Sequence, residues 1–230
     1  MTREEKLWII WDGKELLWSG DGKEYLRGVG LKYLLHPAFE EGYKKILDRY
    51  KPKKKYKLLL ILPCSYGKPY SQSYIHYFLL KTIRETGYYE QVHQLIVTNA
   101  GVVPRELDEY YPYVAYDWNP QYETPEIKEE YARVLAKRLK GYLEKFRGYY
   151  ENIAAYLRWN SDSYRAVKIV EKELGIRIPN LAAKNVPEKE LQQVSLNGLY
   201  VDDDLVLITP TSLDMLKQGI IKIIEGEKPY

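Results

Sequence analysis

Cys64, the only cysteine of this chain, opens a segment that carries Lys68, Tyr70, Ser73 and His76 in quick succession. A thiol at a strand end, near a lysine and a helix start, can have its usual pKa of about 8.5 lowered toward neutrality and act as a nucleophile. An isolated cysteine can equally be an inert apolar filler. His76 can exchange protons or hold a substrate, or it can simply cap or pack at a helix start. Lys68 can bind phosphate or polarise a developing anion, against the alternative of an exposed turn lysine. Ser73 most economically caps a helix, with substrate hydrogen bonding as the sharper role.

Further along, Arg105 and Glu106 follow Pro104 and can orient an amino-acid substrate or a phosphate, or form an ion pair that holds a loop. Arg158, Trp159 and Asn160 can form a base-stacking edge, or the tryptophan can be packing. Lys53, Lys54 and Lys55, flanked by Lys51 and Lys57, make a basic run suited to RNA phosphates or to a solvated linker. The acidic trio Asp202, Asp203 and Asp204 reads as an exposed turn, because no ligand pattern for a metal surrounds it. His36 and His93 are too scattered to assign.

These residues need elements to position them. Residues 58–62 are continuously aliphatic, as expected for a strand buried on both faces of a parallel sheet. Pro63 stops that strand, Gly67 and Pro69 make the connection irregular, and Ser71 or Ser73 can cap a helix carrying Ile75, Phe78, Leu79 and Ile83 on one face. Residues 92–98, 152–157 and 205–209 are further strand candidates. His36-Pro37 introduces a helix that ends near Tyr50, Thr124-Pro125 a long one, Ser161 or Asp162 a third ending near Leu174, and Pro210 leads to a last helix over 212–224. Residues 99–123 lack periodicity and read as a long irregular connection, of the kind that is often functional. Asp12-Gly13 suits a tight turn between residues 7–11 and 15–18.

Alternation of strands and helices predicts an α/β fold: a mostly parallel sheet with helices on both faces, in three layers, plus a small N-terminal β-hairpin appendage. The expected division is an appendage of hairpin and helix over 1–50 and an α/β catalytic-type core over 51–230. In such a sheet ligands bind beyond the carboxyl ends of the strands, which predicts that segments 63–73, 98–106 and 158–163 become neighbours.

The chain has 230 residues and a formal charge of +3 from 35 basic and 32 acidic side chains, so it is not a uniformly basic nucleic-acid binder, and any RNA footprint must be local. One cysteine excludes an internal disulfide, and no membrane-length apolar run is present; a reducing cytoplasm is the expected compartment. Twenty-four tyrosines, abundant Lys and Glu, and two methionines fit a protein from a hot environment, though most tyrosines at this abundance must be packing residues.

The pattern Pro63-Cys64, three residues, Lys68-Pro69-Tyr70, two residues, Ser73, two residues, His76 resembles the signature of archaeosine synthase, the archaeal tRNA-modifying enzyme related to tRNA-guanine transglycosylases. The resemblance extends upstream through His36-Pro37 and Tyr50-Lys51-Pro52, and downstream through residues 101–107, Tyr111-Pro112 and Tyr116-Asp117. It implies transfer of free lysine to the nitrile of 7-cyano-7-deazaguanine in tRNA, with Cys64, His76, Lys68 and Ser73 catalytic and Tyr70, Arg105, Glu106 and Arg158 around the substrate. In that family the region is one domain of a longer protein with transglycosylase-like and PUA domains, so this chain is expected to be a stand-alone, split version that meets such a subunit separately. A radical SAM partner would split the product of that transfer to the final amidine; this chain lacks the three-cysteine cluster site for that step, and no cofactor or metal is expected in it. The alternative is a noncatalytic tRNA-binding or scaffold subunit of the same complex. A nucleobase-binding or glycosylase-like enzyme follows from the α/β architecture alone.

Overall fold

The computed structural model describes residues 8–11, 16–19, 25–199 and 201–227. Strands β1 (Trp8–Trp11) and β2 (Leu16–Ser19) pair antiparallel; the Asp12-Gly13 turn expected between them lies outside the described residues. There follow β3 (Leu26–Arg27), a single turn α1 (Leu31–Leu34) and α2 (Pro37–Arg49). Pro37 occupies the first turn of α2, and the His36 ring accepts a hydrogen bond from the Ala38 amide at 3.2 Å, so a sequence signal for a helix start doubles as its cap.

The central sheet contains β4 (Tyr56–Leu62), β5 (Val92–Thr98), β6 (Gly101–Pro104) and β8 (Tyr150–Ala155), in the order β6-β5-β4-β8. A separate two-stranded parallel sheet joins β3 to β7 (Tyr116–Asp117). β5 and β8 flank β4 in parallel, while β6 turns back antiparallel on β5. The helices between and after these strands are α3 (Tyr74–Glu85), α4 (Pro125–Phe146), α5 (Asp162–Leu174), α6 (Glu188–Val194) and α7 (Pro210–Ile224).

Leu58, Leu59, Leu60, Ile61 and Leu62 of β4 are all fully buried, and the period of two splits them between two cores. Leu59 and Ile61 pack with Phe39 and Ile46 of α2, Leu135 and Leu139 of α4, and Val167 of α5. Leu58, Leu60 and Leu62 pack with Ile75 and Leu79 of α3 and Leu216 and Ile220 of α7. This is the expected three-layer α/β arrangement, and continuous aliphatic sequence is its cause: neither face of β4 meets water. Because Leu34, Phe39 and Ile46 share the core with the sheet, the helical part of segment 1–50 packs with the main body.

Two expectations are corrected. Residues 205–209 form no strand: Asp203–Ile208 is a 3-10 turn, with the Asp202 side chain accepting from the Asp204 amide at 2.8 Å and Thr209 capping α7. Its apolar residues Leu205, Leu207 and Ile208 are buried against α3 and α7, so burial without a ladder explains the misleading pattern. The stretch 99–123 is not uniformly irregular, since β6 and β7 lie within it. Gly101, at φ 121°, makes the reversal that brings β6 back along β5.

Candidate active site

Pro63 ends β4, and residues 63–73 cross from its carboxyl end to α3. Ser73 has extended backbone and accepts from the His76 amide at 3.3 Å, which fixes where the helix starts. Cys64 is half-buried at the head of this loop. Burial pushes its thiol up to about 12, nearby Asp204 adds to the rise, and Lys68 opposes it. Lys68 is half-buried too; burial lowers its pKa, while Cys64 and Asp117 pull it back up. The Lys68 Nζ donates to the Tyr66 carbonyl at 3.2 Å and sits 4.1 Å from the centre of the Tyr116 ring, a cation–π contact. The Tyr70 side chain is fully buried, its hydroxyl 2.6 Å from that of Tyr116.

His76 is fully buried and both ring nitrogens are engaged. Nδ1 lies 2.6 Å from a terminal nitrogen of Arg105, and Nε2 lies 2.9 Å from the Pro63 carbonyl. A guanidinium can only donate and a carbonyl can only accept, so Nδ1 is the acceptor and Nε2 carries the hydrogen. Burial, reinforced by the Arg105 charge, holds the His76 pKa well below the usual 6.5. Arg105 also donates to Gln94 Oε1 at 3.0 Å and pairs with Asp108 at 3.4 Å, and Asp108 in turn accepts the Ser71 amide at 2.8 Å.

On the far side of the loop, Arg158 follows β8 and donates to Asp204 at 3.2 Å and to Asn160 at 3.0 Å, with Asp203 at 3.4 Å. Asp204 is thus a partly buried partner of Arg158, Asp202 is partly buried with its carboxylate accepting the Asp204 amide, and only Asp203 is exposed as expected for the trio; burial pushes Asp204 up to about 6 despite Arg158. Trp159 donates its ring nitrogen to the Ala182 carbonyl at 2.8 Å and has Lys184 over its face. Tyr131 reaches Ser163 at 2.7 Å. Among the described residues no group of three or more His, Cys, Asp or Glu side chains is arranged to hold a metal ion.

Convergence of the three segments holds for the loop after β4 and the loop after β8, but not for all of 98–106. Because β6 runs back along β5, Glu106 is carried to the amino end of the sheet. There it accepts from Tyr50 at 2.8 Å and lies 3.1 Å from His93 Nε2, whose Nδ1 lies 2.8 Å from the Tyr150 hydroxyl. Burial pushes Glu106 up, but the His93 hydrogen bond and charge, with the Tyr50 hydroxyl, outweigh it and hold the carboxyl down to about 2. Lys53, Lys54 and Lys55 are exposed at that same end; Lys54 pairs with Glu90 at 3.6 Å. With β4 between them, the lysines and Cys64 are separated by roughly 25 Å at a strand rise of about 3.3 Å per residue.

A cleft of about 680 Å³ also lies at the amino end, lined by Arg147, Tyr150, Ile153, Arg177, Pro179 and Glu227 among others. Its lining does not include Cys64, Lys68 or His76. The sequence does not single out Gln94 or Asp108, and Tyr116 enters only within the family resemblance. Asp108 carried one signal, its position three residues after Arg105, while Gln94 and Tyr116 are brought there by tertiary packing.

The domain family described as "Domain of unknown function (DUF5591)" matches residues 40–199. The fold defines a three-layer, mostly parallel α/β domain, and the chain belongs to this family. It is 38% identical over 128 residues to a protein named archaeosine synthase subunit alpha from Thermococcus kodakarensis, covering 53% of this chain and 22% of that one. A protein of the same name from Methanosarcina acetivorans is 33% identical over 150 residues, covering 64% of this chain and 22% of its own length. The chain thus spans about a fifth of the length of these relatives. The solved structure of AF0587, a protein of unknown function, shares the fold at a TM-score of 0.50 and 22% identity, over 77% of this chain and 48% of that one. Among the described residues no helix is long and apolar enough to cross a membrane.

Proposed function

We propose that this chain acts in archaeosine formation on tRNA, transferring lysine to the nitrile of 7-cyano-7-deazaguanine already in the RNA, at the crevice around Cys64. The observation that carries the reading is the pairing of a lone thiol with a half-buried lysine on one strand-end loop, in a chain whose relatives are named archaeosine synthase. In the proposed sequence the Cys64 sulfur adds to the nitrile carbon and the thiol proton passes to the nitrile nitrogen, giving a thioimidate. The lysine amine then adds to that carbon, the carbon–sulfur bond breaks, and the proton lost by the amine restores the thiol. The product is an amidine, with no oxidant or reductant consumed.

Lys68 is the proposed proton carrier, because it shares the strand-end loop with the thiol and burial lowers its pKa. Ser73 sets the start of α3, and Tyr70 and Arg158 shape the two walls of the crevice. The exposed run Lys53, Lys54 and Lys55 serves tRNA backbone, and the distance to Cys64 lets one RNA touch both ends of the sheet. A separate transglycosylase-like or PUA-containing subunit would supply most RNA affinity, and a radical SAM enzyme would complete the product.

A second reading, a noncatalytic scaffold or tRNA-binding subunit of the same complex, is favoured by one specific observation: the Cys64 thiol is pushed up to about 12. The deciding experiment incubates the purified chain, alone and with candidate partner subunits, with nitrile-bearing tRNA and labelled lysine. RNA-bound label that depends on Cys64 supports transfer. Absence of label under every combination, with tRNA still bound, supports the scaffold.

A further inference from the structure

The loop that carries Cys64 is tied down at both ends by one buried chain of hydrogen bonds. At its start the Pro63 carbonyl, one residue before the cysteine, accepts from His76 Nε2 at 2.9 Å. At its finish the Ser71 amide donates to Asp108 at 2.8 Å. Arg105 joins the two ties, contacting His76 Nδ1 at 2.6 Å and Asp108 at 3.4 Å, and its Nε anchors the assembly to Gln94 within β5 at 3.0 Å. His76 is fully buried, Gln94 and Asp108 nearly so. We propose that His76, Arg105 and Asp108 are positioning residues that clamp the loop between β4 and α3 and thereby set the Cys64 thiol, rather than groups that touch substrate or move its protons.

The geometry leaves His76 no free ring nitrogen for proton transfer. Its one acceptor nitrogen is filled by a guanidinium that has no alternative but to donate, and its one hydrogen is committed to a backbone carbonyl. A doubly protonated ring would set an N–H against the guanidinium N–H groups, so the clamp holds one tautomer only. Arg105 has the shape for this task, since its planar fork reaches three acceptors in fixed directions where a lysine would reach one.

The clamp rests on the reading that the Cys64 loop is the reactive site, so its test uses a probe that needs no reaction. The rate of Cys64 alkylation by iodoacetamide is measured on the whole chain for His76→Leu, His76→Gln and Asp108→Ala, with melting curves alongside. Losing a hydrogen bond to a charged partner shifts a local opening equilibrium by about tenfold or more, so His76→Leu and Asp108→Ala should speed alkylation by that factor, while His76→Gln, which keeps a donor and an acceptor, should stay within about threefold of wild type. If His76→Leu fails to melt cooperatively, Asp108→Ala alone decides.

Where lysine transfer is observed, His76→Gln should recover most of the kcat that His76→Leu loses and leave the pH profile in place, since an amide does not titrate. Alkylation unchanged in folded His76→Leu or Asp108→Ala overturns the clamp. So does a His76→Gln protein as inactive as His76→Leu with both thiols reacting at the wild-type rate, which would return His76 to proton transfer. If no variant or wild-type protein transfers lysine, the function reading falls while the alkylation result still judges the clamp.

Discussion

His76 and His93 are both buried and both contact a charged residue, but the charges have opposite sign. His76 faces the Arg105 guanidinium at the carboxyl end of the sheet, and the result is a ring held neutral with its pKa far below the usual value. His93 faces the Glu106 carboxylate at the amino end, among the hydroxyls of Tyr50 and Tyr150, with the Tyr56 ring stacked 4.8 Å from its own. There burial raises the Glu106 carboxyl, but its hydrogen bond to His93 outweighs burial and holds it down to about 2. Adjacent residues, Arg105 and Glu106, thus serve opposite regions: one joins His76 to Asp108 beside the Cys64 loop, the other closes a polar network under the strands. The lesson is that the sign of the partner decides what a buried histidine can do.

The comparison breaks most sharply if the carboxyl end has no chemistry. Cys64→Ser should abolish lysine transfer, by at least about a thousandfold, because the hydroxyl lacks the nucleophilicity of sulfur. Its circular dichroism and melting temperature should stay close to wild type, since the change removes little volume. Turnover near the wild-type rate in the folded variant would remove the thiol from the mechanism.

At the amino end the expected effect is on stability. Glu106 has a folded pKa depressed from 4.5 to about 2. Its contribution is therefore present above about pH 4.5 and lost as the pH falls through 2, amounting to about 3 kcal/mol by linkage. Glu106→Gln should lower stability at pH 7 by that order and flatten the acid limb of the stability curve between those values. Alkylation of Cys64 should be unaffected. A variant with an unchanged acid limb, measured by urea melts at several pH values, would show that the His93 network does not carry the shift.

The thiol itself sharpens the contrast. With its pKa pushed up to about 12, alkylation of Cys64 in the isolated chain should rise about tenfold per pH unit from 7 through 10 without a plateau, because only the thiolate reacts. A plateau near pH 8 would mean a thiol already activated before substrate arrives.

The smallest expected effect concerns RNA. Replacing Lys53, Lys54 and Lys55 by alanine should weaken tRNA association and reduce the salt slope of log Kd by up to about 0.9 for each duplex phosphate the lysines neutralise, and by less on single strands. An identical slope in the variant would leave these lysines as a solvated linker, and the RNA would have to lie nearer the Cys64 end.

Much of this molecule could be read from one dimension. The buried strand at Leu58 to Leu62, the caps at Ser73, Thr124 and Ser161, and the alternating order of elements follow from local patterns, because burial period and helix capping act over a few residues. The cysteine loop was legible for the same reason: a strand stop, a glycine, a proline and a helix cap are consecutive in the chain. What tertiary structure alone decided is which polar groups face one another. The reversal at Gly101 sends Arg105 toward His76 and Glu106 toward His93, and no local pattern records that two neighbouring side chains serve opposite ends of a sheet. The apolar run at 205–208 resolved into a 3-10 turn because its burial comes from α3 and α7, and a hydrophobic pattern reports that a residue is buried without saying against what.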